Sequence, residues 1–552
     1  MAKKKEDALS YLQLPLPAAR KYSKMTKRAW VGLNRRQTVD TGALSMESNI
    51  STLEAPYLVP SESKNRYKGG YDNPIGVFGF DDFLLVIYRN GDDIKIDYIT
   101  GDADVYTGYL QEGDATENDE YPRCVVQFNV YDTPTDPVTG EYTKKLLIFP
   151  DKKSMDFIIT EDDFEISSLD VEVKEYENSE KPYYPPDTAS HNYYYKNTSA
   201  KAKEADTLYG SAIYKWVDDE SDSSASGWLF SMPPSFPPIE YAAVHLSRLF
   251  GVGGGRIYAS GFNNYANWNL DTIDEYNESN AWCSPAQSNT KADGNFTGIT
   301  VFDGHVICFK REFMHEIYNT KNPFRVVDIY ADGTIDHRTV QDVGGRLIFA
   351  SDNEIKVYTG SAPRVIGYYL NLNRLFYAVS GTDGRCYYLY CEDYEGNSHL
   401  FVYDTFVEQW AQQRVDDRVI AFAHNKNGMY MLLDDGVVYK MDTGEYEHEW
   451  SFETDLITAE TVDIKHIKKL QLLADVAEGA HIDVYMLYGD EKFDATTSHL
   501  LYSSDGSGQK TIRVKPRRTA NYGFKLHFEG YGYVKLYEME ISVESGGDLY
   551  VS

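Results

Sequence analysis

A unit of short strands and glycine turns recurs along this chain at intervals of about 40 residues. The turn glycines that mark it are Gly304, Gly345, Gly384 and Gly428, separated by 41, 39 and 44 positions. Each glycine stands before a short apolar and aromatic run, such as residues 305–309 and 346–349. Repeats of this length, built from strands and glycine turns, are typical of β-propellers, whose four-stranded blades bury their faces only by stacking. The spacing predicts an all-β fold.

The same pattern can be followed upstream of the regular copies. Runs at 80–88 and 94–99 flank an Asn-Gly-Asp turn and predict a hairpin, and another copy covers 243–260. We therefore expect a β-propeller over residues 76–454, with room for six to eight blades and about seven as the central expectation. The high content of Tyr (46), Phe (25) and Trp (7) also favours strands. The alternative is a series of ordinary hairpins in β-sandwiches.

Three regions depart from the repeat. Residues 161–226 are acidic and rich in Tyr and Pro, and they predict a long insertion of surface loops within the propeller. Tyrosines in such loops either stack on sugars and protein partners or cover a sheet edge. After residue 455 the rhythm stops, and apolar residues alternate with polar ones at 462–473, 482–488 and 533–543. Residues 455–552 therefore predict a separate C-terminal β-sandwich.

The N-terminal segment, residues 1–75, is interpreted as an extended basic arm. Its first 40 residues contain ten basic and three acidic side chains, so the other 512 residues carry a formal charge of −38. Pro15, Pro17 and the lack of apolar alternation favour an extended conformation that cannot bury much surface alone. Such an arm is either a frayed, solvated tail or a segment docked on an acidic neighbouring subunit.

Composition and charge exclude several classes of function. With 85 acidic and 54 basic residues, the net charge of −31 repels nucleic acid over most of the surface. Neither a secretory signal at 1–20 nor a membrane-spanning segment is expected from the apolar patterning. The cysteines are too few for a disulfide scaffold and favour synthesis in a reducing compartment: Cys124, Cys283, Cys308, Cys386 and Cys391.

Patterns that carry chemistry are weak. There is no Gly-x-Ser-x-Gly elbow, and Cys386 and Cys391 have no second pair that would complete a zinc site. The remaining candidates are single histidines (His315, His337, His424), a tight glycine turn at 251–255 and a hairpin loop at 503–508. We expect no catalytic, cofactor-binding or metal-binding residues, no cofactor and no enzymatic activity. A carboxylate pair for glycoside hydrolysis stays open, because acidic residues are abundant.

Several phrases resemble the propeller-bearing tail proteins of bacteriophages, such as tail nozzle, tail hub and DNA-stabilisation proteins. The phrases that carry the resemblance lie at 256–261, 267–268, 298–300, 302–310 and 343–351. Residues 30–36, 42–45, 49–51 and 57–60 are similar to the N-terminal lead-in of such proteins, and 516–518 and 524–530 to their sandwich. The resemblance covers most of the chain through short phrases and brings no catalytic motif.

This resemblance implies a non-enzymatic structural component of a virion tail, assembled in the host cytoplasm. It implies a homo-oligomeric ring or nozzle, expected to be hexameric, around the DNA-ejection channel. The implied partners are adjacent tail or portal-adaptor proteins, with DNA passing through and no specific binding. Two alternatives stay open: a tail-tip propeller that binds or cleaves host carbohydrate, and a cellular interaction scaffold.

Overall fold

The computed structural model describes residues 22–27, 30–36, 43–101, 104–131, 142–159, 164–170, 173–176, 194–197, 213–217, 227–230, 236–268, 270, 280–285, 294–329, 333–441, 443–458, 465–489, 495–504, 508–514 and 523–545. These residues form an all-β chain whose helical elements are three short 3-10 turns, at Glu117–Asp119, His337–Thr339 and Tyr368–Leu370. The chain divides into two compact units. The middle unit contains residues 71–340 and 360–362, and the terminal unit contains 1–70, 341–359 and 363–552.

The middle unit contains five four-stranded sheets, in which each strand pairs with the next one along the chain. The strands of sheet A are Pro74–Phe80, Phe83–Asn90, Asp93–Ile99 and Val105–Gln111, and those of sheet B are Cys124–Tyr131, Tyr142–Phe149, Lys153–Asp156 and Ile166–Ser168. Those of sheet C are Val173–Tyr176, Tyr194–Asn197, Ile213–Val217 and Gly227–Phe230; of sheet D, Tyr241–His245, Arg248–Gly253, Arg256–Ala259 and Trp282–Cys283; and of sheet E, Phe296–Phe302, His305–Lys310, Met314–Tyr318 and Arg325–Ile329.

Sheets A, B, D and E pack face to face in that order. Successive side chains of a strand point to opposite faces, so Leu146 and Ile148 of sheet B join the core shared with sheet A. Leu147 and Phe149, on the other face, join the core shared with sheet D. Sheet D in turn shares a core with sheet E. A four-residue apolar run is therefore buried on both faces.

Sheet C interrupts the chain without interrupting this packing. Sheet B contacts sheet D directly, although sheet C lies between them in sequence. Its first two strands pair in parallel, whereas the other pairings of sheets A to E are antiparallel. Segment 161–226, expected to form surface loops, thus contributes three strands of a small inserted sheet in its described parts. The Tyr/Pro stretch 181–186 and the acidic run 218–224 lie outside the described residues.

The terminal unit contains three more four-stranded sheets. The strands of sheet F are Gln341–Asp342, Leu347–Ala350, Ile355–Tyr358 and Arg364–Val365, those of sheet G are Leu375–Thr382, Cys386–Asp393, Ser398–Asp404 and Gln409–Gln413, and those of sheet H are Val419–Asn425, Gly428–Leu433, Val437–Lys440 and Asn65–Gly69. Sheet F is joined to sheet G by hydrogen bonds such as Trp410 Nε1 to the Ile366 oxygen (2.9 Å). Sheets G and H share an apolar core that includes Val379, Leu400 and Phe422.

The glycine repeat coincides with these sheets. Gly304, Gly345 and Gly384 lie in the turn between the first and second strands of sheets E, F and G, and Gly428 begins the second strand of sheet H directly after the corresponding turn. Their φ angles are +74°, +77°, +90° and +129°, in the region that glycine adopts without a steric penalty. The predicted period of about 40 residues therefore corresponds to one sheet for each repeat.

Sheet H obtains its fourth strand from the N-terminal side of the chain. Asn65–Gly69 pairs antiparallel with Val437–Lys440, and the Gly70 amide donates to the Gly436 oxygen at 3.1 Å. In the described residues, eight four-stranded sheets thus lie between residues 65 and 440. Eight sheets lie within the range of six to eight units that the repeat predicts, and sheet C belongs to the segment expected to be an insertion.

The remaining strands form a two-sheet sandwich in the terminal unit. One sheet has the order Tyr22–Lys27, Val534–Ser545, Lys465–Val476 and Gly508–Val514; the other has the order Val31–Leu33, Ala43–Ser48, Glu449–Thr454, Phe524–Tyr531, His481–Gly489 and Ala495–Ser504. A short pair, Ile50–Ser51 with Val59–Pro60, lies beside them. The two sheets enclose a single apolar core in which the Phe452 and Phe528 rings stack at 4.5 Å.

The sandwich therefore contains both ends of the described chain. Residues 1–75 were expected to form a separate extended arm, but Tyr22–Lys27 pairs with the last strand in register from Tyr22 and Glu544 to Lys27 and Met539. Trp30 is 5 % exposed and packs edge-on against Phe452 at 5.7 Å. An extended segment buries surface by joining existing sheet edges, which is the physical reason for this arrangement. Residues 1–21 lie outside the described residues.

Replacing Trp30 tests how far the N-terminal segment holds the sandwich together. We expect Trp30→Ala to lower the free energy of unfolding of the sandwich by about 3–5 kcal/mol, because it leaves a large cavity in the core. Trp30→Phe is the matched control. It keeps most of the ring and removes an indole N–H that is buried without a partner among the described residues, so its effect should be much smaller. Urea unfolding followed by circular dichroism measures both; equal effects would contradict a core role.

Candidate functional site

A polar cavity of about 430 Å³ lies within the terminal unit. Its walls come from segment 49–64, from sheets G and H, and from the residues that lead into the strand Glu449–Thr454. The lining residues are Asn49, Ser51, Leu53, Ser61, Glu62, Ser63, Lys64, Asp383, Tyr388, Leu400, Gln413, Arg414, Asp416, Met431, Met441, Glu447, His448 and Glu449. This volume is in the range of ~300–1000 Å³ that is common for small-molecule sites.

Lys64 supplies a partly buried ammonium group to this cavity. It stands just before the strand Asn65–Gly69, and its Nζ lies 5.5 Å from the centre of the Tyr439 ring. Among the residues that the structure describes, this ring contact is the interaction of its ammonium group, and no hydrogen bond or ion pair of Lys64 is seen. Burial lowers the pKa of Lys64, and the more distant carboxylates of Asp416, Asp417 and Asp435 oppose that shift. The ammonium is therefore held near carboxylates without being neutralised by direct contact.

His448 supplies a second nitrogen. Its Nδ1 lies 2.8 Å from the Ser63 Oγ, which also accepts a hydrogen bond from the Glu447 amide at 2.7 Å. Its Nε2 is buried and has no hydrogen-bond partner among the described residues. Burial lowers the pKa of His448, and the positive charge of Lys64 lowers it further. The imidazole is therefore neutral at pH 7.

The Ser63 and His448 pair suits binding better than nucleophilic catalysis. In a catalytic triad one imidazole nitrogen faces the serine, and a carboxylate orients the other. Here the nitrogen opposite Ser63 has no described partner, and the Ser63 oxygen already accepts an amide hydrogen bond. The arrangement can present hydrogen-bonding atoms to a ligand.

The lining of the cavity also includes acidic side chains that neighbouring donors engage, and a set of apolar side chains. Asp383 is engaged within its own turn, since it accepts hydrogen bonds from the Arg385 and Cys386 amides at 2.8 and 2.6 Å. Its other oxygen accepts from the Tyr388 hydroxyl at 3.1 Å. Arg414 donates to Asp416 at 3.0 Å. The apolar lining consists of Leu53, Leu400, Met431 and Met441, together with the Tyr388 ring.

Four exposed aromatic side chains, which we name the aromatic patch, lie on and just before sheet G: Tyr368 and Tyr369 in the 3-10 turn Tyr368–Leu370, Phe376 in the first strand of sheet G, and Tyr394 directly after its second strand. Their exposed fractions are 57, 52, 48 and 64 %, respectively. The Phe376 and Tyr394 rings lie 5.5 Å apart, and the Arg374 guanidinium lies 5.5 Å from the Tyr394 ring. Exposed aromatic and arginine side chains are enriched where proteins contact each other.

The described part of the basic N-terminal segment docks beside this patch on its own chain. The Arg36 guanidinium lies 3.7 Å from the centre of the Tyr368 ring, and its Nε donates a hydrogen bond to the backbone carbonyl oxygen of Tyr368 at 2.6 Å. Arg35 Nη1 lies 3.1 Å from the His399 Nε2. Burial, followed by the Arg35 charge, lowers the pKa of His399 to about 4. At Arg35 and Arg36 the segment thus docks on its own chain, which is neither the solvated tail nor the contact with a neighbouring subunit that the sequence suggested.

A buried carboxyl group lies on the same segment. Glu47 is 2 % exposed, and its Oε2 accepts a hydrogen bond from the Gln412 amide at 3.1 Å. Its Oε1 has no partner among the described residues. Burial raises the pKa of Glu47 to about 8, with the Gln412 hydrogen bond acting in the opposite direction. Glu47 therefore carries a proton at pH 7.

The cysteines and histidines considered from the sequence are dispersed. All five cysteines are free, and burial raises the pKa of Cys124 to about 11 and of Cys391 to about 12. His315 Nδ1 lies 2.7 Å from Asp328, and burial lowers the pKa of His337 to about 4. The part of the chain that the structure describes contains no cluster of three such side chains and carboxylates that could hold a metal ion.

The two loop candidates have local explanations. Residues 251–255 continue the strand Arg248–Gly253 and then turn at Gly254 and Gly255, with φ angles of +54° and +71°. The predicted tight turn is confirmed. The predicted hairpin loop at 503–508 is wrong, because it connects two strands that lie in different sheets of the sandwich: Ala495–Ser504 pairs with His481–Gly489, and Gly508–Val514 pairs with Lys465–Val476. Its middle, 505–507, lies outside the described residues. Sequence patterns did not indicate Lys64 and His448, because the residues that surround them are far apart in sequence.

Among known proteins, the chain is similar to solved structures of low sequence identity. No family model matches the sequence, and no curated protein matches it. One similar solved structure is the extracellular domain of a protein described as a one-component system from B. thetaiotaomicron, with 9 % identity and a TM-score of 0.35. The match covers 87 % of this chain and 61 % of that one, so this chain spans less than two thirds of its length.

A second similar structure is BamB from Moraxella catarrhalis, with 10 % identity and a TM-score of 0.29. The match covers 76 % of this chain and 99 % of that one. Because both TM-scores are below 0.5, neither likeness bears on the function of this chain. Within the described residues, no helix has the length and apolar character needed to cross a membrane.

The buried Glu47 carboxyl makes stability depend on pH. The unfolded chain loses this proton near pH 4.5, and the folded chain keeps it to about pH 8. The folded state binds more protons in this window, so the free energy of unfolding falls as pH rises through it. The free energy of unfolding of Glu47→Gln, relative to that of the parent protein, should therefore be higher at pH 8 than at pH 5 by about 2–4 kcal/mol.

The measurement is urea unfolding of both proteins at several values between pH 4.5 and 8.5. Glu445→Gln is a matched control, because Glu445 is exposed on the surface of the same unit. If the difference in free energy of unfolding between Glu47→Gln and the parent protein does not change with pH, Glu47 ionises with an ordinary pKa, contrary to this prediction.

Proposed function

We propose that the chain is a non-enzymatic structural component of a bacteriophage virion tail, which assembles into a ring around the DNA-ejection channel. In this proposal sheets A, B, D, E, F, G and H are the seven blades of one β-propeller, and sheet C is an insertion. The strand Asn65–Gly69 completes sheet H from the N-terminal side of the chain, and in the proposed propeller this strand would close the ring of blades. Such an exchange of strands joins the two ends of a repeat array.

The aromatic patch is the observation that carries the assembly part of this proposal. Four large rings are about half exposed or more: Tyr368 and Tyr369, with Arg36 over Tyr368, and Phe376 and Tyr394, with Arg374 over Tyr394. The chain as a whole has a net charge of −31. A second copy therefore offers acidic surface to these arginines while it buries the rings, which supports a contact between identical subunits.

The charge also suits a conduit. Duplex DNA is bound mainly through its phosphates, and this binding requires cationic side chains that displace counterions. An excess of 31 carboxylates over cations leaves little basic surface for this purpose. A wall with this charge lets DNA pass without holding it.

Particle labelling and sizing test the assembly. Antibody against the chain should decorate the tails of virions in electron micrographs, and the purified protein should form rings, expected to be sixfold. We expect Phe376→Ser with Tyr394→Ser to shift the protein towards monomers in light scattering, because the contact loses its buried rings.

The matched control is Tyr109→Ser. Tyr109 is 46 % exposed in sheet A and, like Tyr394, has a cation near its ring, at 5.2 Å from Lys95. If the parent protein, the double variant and Tyr109→Ser assemble into oligomeric rings equally well, the contact between subunits lies elsewhere. A protein that stays monomeric and is absent from particles would contradict the tail function.

If the chain lines a conduit, its affinity for duplex DNA should be low. Purified protein should not retain duplex DNA at physiological salt, and lowering the salt should restore little binding, since few phosphate contacts are available. Fluorescence anisotropy with a labelled duplex measures this. Tight binding with a steep salt dependence would mean that basic surface is concentrated at one site, contrary to the proposal.

The alternative function, carbohydrate binding or cleavage at a tail tip by the Tyr-rich loops, stays a prediction. Those loops lie mainly outside the described residues.

A further inference from the structure

We propose that the polar cavity beside Lys64 and His448 is a binding site for a small neutral sugar. The inference is independent of the proposed tail function, since it concerns a cavity within the terminal unit and not the aromatic patch. It rests on three observations: two nitrogen atoms without partners, a lining of mixed charge, and an apolar wall that includes a tyrosine ring.

The two nitrogen atoms are the first observation. The Lys64 ammonium contacts the Tyr439 ring at 5.5 Å and has no described hydrogen-bond acceptor of its own. The His448 Nε2 is buried and lacks a partner among the described residues. Buried polar groups in folded proteins are nearly always hydrogen-bonded, so the buried His448 Nε2 calls for a ligand oxygen, and the partly buried Lys64 ammonium can donate to the same ligand. A hydroxyl group serves both, because it accepts from Lys64 and either donates to or accepts from His448.

The mixed charge of the lining selects against a charged ligand. Two cationic side chains, Lys64 and Arg414, line the cavity with five carboxylates: Glu62, Asp383, Asp416, Glu447 and Glu449. An anion near Lys64 also meets these carboxylates, and an organic cation meets Lys64 and Arg414. A neutral polyol avoids both repulsions, since each hydroxyl group can donate to a carboxylate and accept from a cation.

The apolar wall accommodates the carbon face of a sugar ring. The Tyr388 ring lies in the wall with Leu400, Met431 and Met441. Its hydroxyl is held by Asp383 at 3.1 Å, which fixes the position of the ring. Ser51, Ser61, Asn49 and Gln413 add short polar groups around the rim. Small-molecule sites commonly combine such an apolar wall with a few placed polar groups.

Titration with simple sugars tests the site. The probes are glucose, galactose, mannose and N-acetylglucosamine, measured with the full-length protein by saturation-transfer difference NMR and calorimetry. We expect at least one of them to bind at millimolar concentration. Lys64→Met keeps the length of the side chain and removes the ammonium, and it should weaken that binding about tenfold or more.

The controls separate a lost site from a damaged fold. Lys68→Met removes a lysine from the adjoining strand Asn65–Gly69, outside the cavity, so it should bind as the parent protein does. Thermal melting of the three proteins shows whether they fold equally well. His448→Phe is a second test, since it removes the unpartnered nitrogen and keeps an aromatic ring.

Three outcomes would overturn the inference. One is the absence of binding for all four sugars. Another is sugar binding that neither Lys64→Met nor His448→Phe changes, which would place the site elsewhere. The third is displacement of the sugars by acetate or ethylammonium as an equally strong ligand, which would show that charge and not the hydroxyl pattern selects the ligand.

Discussion

The fold depends on the inability of a small four-stranded sheet to bury both of its faces alone. The run Leu146 to Phe149 shows the consequence: its four side chains are fully buried, two against sheet A and two against sheet D. Burial on both faces removes the alternation of polar and apolar residues that marks a half-exposed strand. Close packing of this kind also restricts side chains at the contact. A Cβ at Gly381 would lie 2.4 Å from the Phe422 Cβ, so sheets G and H can approach only because this position is glycine.

The need to complete the last sheet determines the path of the N-terminal segment. Sheet H has three strands from its own repeat, and Asn65–Gly69 supplies the fourth. Residues 43–60 precede that strand and belong to the sandwich, so the chain crosses from the sandwich to sheet H within a few residues. The cavity lies along this crossing, where segment 49–64 faces sheets G and H. A structural requirement of the repeat thus creates the space in which Lys64 and His448 meet.

The sequence predicts the parts of the fold whose signals are local. The turn glycines predict sheets E to H because each adopts a positive φ within its own repeat. The break at 161–226 is visible because its composition changes, although the strands of sheet C carry no repeat that would reveal them. The N-terminal strands could not be predicted, since Tyr22 pairs with Glu544 and no local pattern records a partner that far away. The same applies to the cavity: Ser63 and His448 meet through the fold, and no local pattern in the sequence records that they are neighbours.

The abundance of tyrosine and phenylalanine acquires a second meaning when charge is considered. Many cations of the terminal unit lie over aromatic rings of the same chain, as Arg36 does over Tyr368, Arg418 over Tyr377 at 4.5 Å and Arg385 over Phe406 at 5.0 Å. A cation held on a ring and hydrogen-bonded to its own chain is less able to reach a phosphate. The aromatic residues therefore stabilise the sheets and also sequester positive charge, which leaves the carboxylates to dominate the field at the surface. In the proposed conduit, that combination would hinder binding of DNA more than net charge alone, because binding of DNA depends on the cations that remain accessible.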